Sequence, residues 1–179
     1  MSGRPESTRW ALAATERGGV ACPKPDSLLG PGDVFLLRRG DGVQTLLGSC
    51  VAIILTDPAR TLATICHFVH ASPSRGALDD TCHADAALRR MCELLGQQAL
   101  NPARCEAFVY GGANMFPGIY SGRHVGEANS RWAFEALARL GVAVHGCDVG
   151  GQAYRCLRWR LGPEAPRVSL GGYAPEARA

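Results

Sequence analysis

Cys50 and His67 are the two residues whose types and spacing could do chemistry together. Cys50 ends the stretch Thr45-Leu46-Leu47-Gly48-Ser49-Cys50, and two β-rich runs follow it, Val51–Leu55 and Thr61–Val69. Between them Thr56-Asp57-Pro58-Ala59-Arg60 supplies turn chemistry, with Asp to cap the turn and Pro to preset its φ. An antiparallel hairpin centred between Pro58 and Ala59 sets Cys50 directly opposite His67, with Cβ atoms about 5 Å apart. The same register faces Ala52 with Ile65, Ile54 with Ala63 and Thr56 with Thr61. A slip of one residue would exchange His67 for Cys66 on that face. A thiol facing an imidazole across a hairpin is the starting geometry of an activated cysteine nucleophile.

That pairing specifies a reaction class. An imidazole that takes the thiol proton leaves a thiolate beside an imidazolium, with the thiol pKa depressed. Attack on a carboxamide carbon gives a tetrahedral oxyanion, the imidazolium protonates the departing nitrogen, and water releases the acyl-thioester. Gly48-Ser49 gives a tight turn before the nucleophile and leaves the Cys50 N–H free as an oxyanion donor. The pairs Gly111-Gly112 and Gly150-Gly151 match neither a P-loop nor a dinucleotide fingerprint. They mark strand ends where the backbone turns or approaches a ligand. Thr45 is the one hydroxyl just upstream able to reach the second imidazole nitrogen, although its spacing alone reads as an ordinary β-branched strand residue.

Other readings of these residues stand beside the nucleophile. A cysteine next to an apolar run is commonly a small core hydrophobe, and a histidine in a strand is commonly bonded to a backbone carbonyl. Cys66, His67, His70, Cys82, His83 and Asp85 offer donors for a zinc-dependent hydrolase, but no C-x-x-C or H-x-x-x-H pair pins them. No metal and no cofactor is therefore expected.

The 179 residues are 46% hydrophobic and 20% charged, which suits a single globular domain with a real core. The net charge of +3 comes from scattered arginines, read as a solvated surface rather than a nucleic-acid stripe. Several of the eight cysteines fall inside apolar strand or helix patterns, against a disulfide framework. No apolar signal region and no membrane-length run occurs, so the expectation is a reduced, cytoplasmic protein without membrane insertion.

The elements that must position the pair follow from periodicity. Residues 1–27, rich in Ser, Gly, Arg and Pro, read as a segment without fixed structure. Val34–Leu37 is a strand, and a helix capped by Asp80 or Thr81 follows, with Ala84, Ala87, Leu88, Met91, Cys92 and Leu95 on one stripe. Cys105–Tyr110 is a strand ending at Gly111. A second helix over 125–140 turns Val125, Ala128, Trp132, Ala136, Leu137 and Leu140 inward. Val142–Val149 and Tyr154–Leu161 are strands, the second alternating Cys156, Arg158 and Arg160 against Leu157, Trp159 and Leu161. Val168–Leu170 adds a short strand before a tail over 171–179. Strands and helices do not alternate strictly and a hairpin lies at the centre. The expected fold is a single α+β domain, a mixed or antiparallel β-sheet sandwich flanked by two main helices.

Six motifs occur in a telling order: Leu47-Gly48-Ser49-Cys50-Val51, Cys66-His67-Phe68, Ala84-Asp85-Ala86-Ala87-Leu88, Gly111-Gly112-Ala113-Asn114-Met115, Gly126-Glu127-Ala128-Asn129 and Asp148-Val149-Gly150-Gly151. In this order they resemble the CheD family, the chemoreceptor glutamine deamidases of bacterial chemotaxis. The resemblance runs from about Asp33 to Leu170 and makes residues 28–170 the CheD-like domain. It implies a protein-glutamine glutaminase acting on methyl-accepting chemoreceptors, with Cys50 as nucleophile and His67 as its histidine. The family's catalytic threonine falls on Thr45 or, one residue earlier, on Gln44. Gly48, Ser49, Gly111 and Gly112 are the candidates for substrate and oxyanion contacts. Some members bind the CheC phosphatase, which also leaves open a non-catalytic module that docks receptors or a CheC-type phosphatase. Departures from the family pattern, including His70-Ala71 after the histidine and Ala128 within the fifth motif, bear on substrate choice and docking rather than on the nucleophile.

Overall fold

In the computed structural model residues 27–72, 79–119 and 124–171 are described; apart from Ser27 and Gly171, the expected N-terminal segment and C-terminal tail lie outside them. The chain forms β1 (Ser27–Leu28), β2 (Val34–Arg38), β3 (Gly42–Leu47), β4 (Val51–Thr56), β5 (Leu62–Phe68), α1 (Ala84–Gln97), β6 (Glu106–Gly111), α2 (Val125–Arg139), β7 (Ala143–Val149), β8 (Tyr154–Arg160) and β9 (Arg167–Gly171). Five strands in the order β2-β5-β4-β6-β7 make one sheet, and β1-β3-β8-β9 make the other. β1–β3 and β6–β7 are parallel and the remaining pairs antiparallel, so both sheets are mixed. The α+β sandwich read from the sequence is the observed architecture.

Two cores account for the layering. β4 is buried on both faces, which is why it reads as a continuous apolar run rather than an alternating one. Val51, Ile53, Leu55, Cys66 and Phe68 point from the central hairpin to α1 and α2, meeting Ala84, Leu88, Met91, Leu95, Ala133 and Leu137. Ala52, Ile54, Ala63 and Ile65 point the other way and pack on Val43, Leu47, Leu157 and Trp159 of the second sheet. Each fully buried Leu or Ile of these layers contributes about 1.5–3 kcal/mol.

The hairpin register differs from the expectation by two residues. Val51 pairs with Phe68 and Ala52 with His67, which leaves Cys50 diagonal to His67 rather than directly across. The cause is a wider turn. Asp57 N–H donates to Leu62 O, and the Asp57 carboxylate accepts the main-chain N–H groups of Thr61 and Leu62 and the Thr61 hydroxyl. Arg60 takes a left-handed φ of 51° to close the loop. A shift of two keeps every side chain on its face, so Cys50 and His67 remain on the same side of the sheet.

Two helix expectations are also corrected. The N-cap of α1 is His83, with no side-chain cap bond, and Asp80 instead accepts the N–H of Cys82. In α2 the buried residues are Gly126, Asn129, Ser130, Ala133, Ala136 and Leu137, while Val125 is exposed and Ala128, Trp132 and Leu140 are half-buried. The helix is rotated because two polar residues, Asn129 and Ser130, have bonding partners inside the molecule. A hydrophobic stripe cannot register such residues as inward-facing.

Candidate active site

His67 is 3% exposed, near the end of β5, and its ring reaches across the sandwich to the other sheet. Its Nδ1 lies 2.9 Å from the hydroxyl of Thr45, itself 2% exposed on β3. That hydroxyl donates its single proton to the carbonyl of Leu29 at 2.7 Å, so it must accept from Nδ1–H. The Leu29 carbonyl, 3.5 Å from Nδ1, also favours a proton there. The neutral ring therefore carries its lone pair on Nε2, which is buried and has no hydrogen-bond partner among the described residues. Gln44 alternates to the opposite face of β3 and pairs in register with Arg158. Thr45, not Gln44, makes the contact.

Cys50 is half-buried and immediately precedes β4. Its carbonyl accepts the N–H of Gly112 at 2.8 Å, and the carbonyl of Gly48 accepts the N–H of Ala113 at 2.9 Å. The Gly112 N–H is thus committed to the backbone of Cys50, so this glycine supports Cys50 rather than offering a free oxyanion donor. Gly111 and Gly112 have φ of +112° and +68°. A Cβ on Gly111 would stand 2.2 Å from the Cys50 carbonyl oxygen, and one on Gly112 would stand 1.9 Å from Ser130 Oγ. Only glycine permits this contact between the strand end and the N-terminal turn of α2. Gly48 lies under Met115, whose Cγ would be 3.0 Å from an added Cβ.

Burial sets the protonation of the pair. It raises the Cys50 thiol above its ordinary 9.0; the residue's own main-chain N–H pulls the value back in part, and nearby Cys82 adds a smaller upward push. Burial also lowers His67 below 6.5, against weaker upward pulls from the Leu29 carbonyl and the Asp33 charge. Both directions favour the uncharged form, a thiol at Cys50 and a neutral imidazole at His67. This corrects the depressed thiol expected from sequence, since desolvation disfavours both charged forms.

Two residues absent from the sequence-based candidates complete the surroundings. Asn129 on α2 is fully buried and its Nδ2 donates to the carbonyls of Ser49 at 3.0 Å and Val69 at 2.8 Å. Arg155 on β8, paired in register with Leu47, donates to Asp148 Oδ1 at 2.6 Å and to the Gly150 carbonyl at 2.9 Å. Gly150 N–H in turn donates to the Gly111 carbonyl at 2.9 Å. Both residues lie in or beside motifs visible in the sequence, Asn129 at the end of Gly126-Glu127-Ala128-Asn129 and Arg155 shortly after Asp148-Val149-Gly150-Gly151. His70 is exposed, its ring 5.4 Å from that of His83, away from the Thr45–His67 contact. Among the described residues no three His, Cys, Asp or Glu side chains are grouped to hold a metal ion. Seven cysteines are free, and Cys22 lies outside the described residues. A cavity of about 550 Å³ sits at the Gly42 end of β3, lined by Arg39, Arg158, Arg160 and Arg167, far along the strand from Cys50.

A family model described as CheD chemotactic sensory transduction matches residues 70–163, more than half of the chain. The chain belongs to the CheD family. Its CheD relatives include a probable chemoreceptor glutamine deamidase CheD 2 of Albidiferax ferrireducens, 35% identical over 73% of this chain and 78% of that one. A probable chemoreceptor glutamine deamidase CheD of Rhodospirillum rubrum is 31% identical over 86% and 90% of the two chains. The chemoreceptor glutamine deamidase CheD of Thermotoga maritima is 28% identical over 75% and 85%. Among solved structures, the Neisseria meningitidis protein NMB0706 gives a TM-score of 0.37 at 16% identity, over 66% of this chain and 52% of that one, too loose a likeness to bear on the chemistry. The family model's match begins at residue 70, whereas the Rhodospirillum rubrum relative covers 86% of this chain. No helix among the described residues is long and apolar enough to cross a membrane.

Proposed function

We propose that this CheD-family protein is a protein-glutamine glutaminase, which hydrolyses glutamine side chains of methyl-accepting chemoreceptors to glutamate and releases ammonia. The observation that carries the chemistry is the ring of His67, held by Thr45 at Nδ1 with Nε2 unpartnered among the described residues, on a strand register that sets Cys50 and His67 on one face of the sheet. Substrate entry excludes water, and Nε2 takes the thiol proton as the sulfur attacks the side-chain carbonyl carbon. The Cys50 N–H donates to the developing oxyanion. The imidazolium then protonates the leaving nitrogen, and the Thr45 oxygen, already bonded to Nδ1, stabilises the charged ring. Ammonia departs, and water activated by the same neutral Nε2 hydrolyses the thioester. The glutamine substrate rests on the relatives' activity, because a Cys-His pair alone serves many acyl acceptors. The cytoplasmic setting and a CheC-type phosphatase partner rest on the family resemblance.

The test is mass spectrometry of a chemoreceptor cytoplasmic fragment incubated with the protein. Gln-to-Glu conversion with wild type, and none with Cys50→Ala or His67→Ala of unchanged melting temperature, is the expected result. Conversion that persists in Cys50→Ala would end the reading.

A further inference from the structure

We infer that Asn129 is a positioning residue that sets the separation of Cys50 and His67 from the helix layer, on the side of the sheet opposite the reacting groups. The inference rests on the reading of Cys50 and His67 as the reacting pair. Ser49 immediately precedes Cys50, and Val69 lies two residues beyond His67. One amide nitrogen spends its two protons on these two carbonyls. It therefore ties the segment entering β4 to the segment leaving β5, at the open end of the hairpin. β4–β5 pairing ends at Val51–Phe68, so the ladder to β5 stops short of Cys50, whose carbonyl is held only from the β6 side by Gly112 N–H among the described residues. Both neighbours are carbonyls, which requires the NH₂ to face them and leaves Oδ1 without a partner among the described residues. A fully buried side chain with an unmade hydrogen bond is retained at a cost in stability, as expected where its donors serve a geometric purpose. The anchor itself is rigid. Gly126 approaches Gly112 so closely that a Cβ would stand 2.4 Å from the Gly112 carbonyl oxygen, and Ser130 donates to the Gly126 carbonyl at 2.9 Å.

The experiment compares wild type with Asn129→Ala and Asn129→Ser in two assays, receptor-fragment deamidation and iodoacetamide alkylation read cysteine by cysteine. Burial is what lifts the Cys50 thiol, so a loosened loop moves the alkylation midpoint of Cys50 down toward 9.0. Over the same change the deamidation kcat falls on the order of 10–100-fold with KM little altered. Cys66, fully buried between sheet and helices and pushed up to about 12, is the internal control and stays unlabelled while the fold is intact. Partial recovery of kcat in Asn129→Ser, which keeps a donor, supports positioning. An unchanged Cys50 profile and unchanged kcat in a variant that protects Cys66 overturns the inference, as does labelling of Cys66 in both variants. Absence of deamidation by wild type would refute the functional reading instead, while the alkylation profile still reports on the placement of Cys50.

Discussion

Thr45 and His67 belong to different sheets, yet the Thr45 hydroxyl and the His67 ring meet at 2.9 Å across the sandwich. The bond is buried, and the Thr45 proton is already committed to Leu29. The direction of donation, and hence the tautomer of His67, follows from that commitment. A hydroxyl stands where many nucleophile–histidine systems carry a carboxylate, so in the proposed mechanism the charged ring would be stabilised by a dipole rather than by a full charge.

Replacing Thr45 therefore acts on the ring rather than on the thiol. Thr45→Ala removes both buried bonds of the hydroxyl, to His67 Nδ1 and to the Leu29 carbonyl, and the loss of the Nδ1 partner costs about 1–3 kcal/mol, or roughly 5- to 150-fold in kcat/KM. Thr45→Ser keeps the hydroxyl and should retain most activity. Steady-state ammonia release with both variants checks the contrast; equal losses would show that the methyl, not the hydroxyl, matters.

The neutral resting pair predicts a broad pH optimum. Burial keeps His67 unprotonated until pH falls below its ordinary 6.5, and keeps the Cys50 thiol protonated until pH rises above 9.0. The acid limb of kcat/KM should accordingly lie below 6.5 and the alkaline limb above 9.0. An alkaline limb centred well below 9.0, where a raised imidazolium loses its proton, would indicate a thiolate–imidazolium pair at rest.

Gly111 tests the backbone support of the nucleophile. Its Cβ would meet the Cys50 carbonyl at a φ that side chains avoid, so Gly111→Ala should lose about 1–3 kcal/mol of stability. Chemical denaturation measures that loss. Ammonia release should fall further than the unfolded fraction explains, because Cys50 itself must shift.

Asp57 tests the turn that sets the hairpin register. Burial pushes its carboxyl upward, but the hydrogen bonds from Leu62 and Thr61 outweigh it and hold the group below its ordinary 3.8. Asp57→Ala should cost about 1–3 kcal/mol at neutral pH. Because the folded-state pKa is depressed, that stabilisation is whole above the unfolded value of about 3.9 and fades as pH falls through the folded one. Urea midpoints of wild type and variant should converge below about pH 4.

Sequence alone determined most of the elements, though not β1 or β3, and the faces of the central hairpin, α1 and β8. The apolar runs around Asp57-Pro58 specify a hairpin buried on both sides, and two-residue periodicity puts Cys50 and His67 on one side of it whatever the even shift in register. The alternation of β8 and the apolar stripe of α1 were likewise legible, because burial there is a property of each residue's own type. Tertiary structure decided what depends on contacts between distant segments. The side-chain bonds of Asp57 chose the register, the approach of a second sheet chose Thr45 over Gln44, and the seating of α2 turned Asn129 inward. Burial then pushes the Cys50 thiol up, against the depressed value expected from sequence. A side chain's type records its preference for burial, but a hydrogen-bond partner tens of residues away, or the loss of water around a thiol, exists only once the layers have closed on one another.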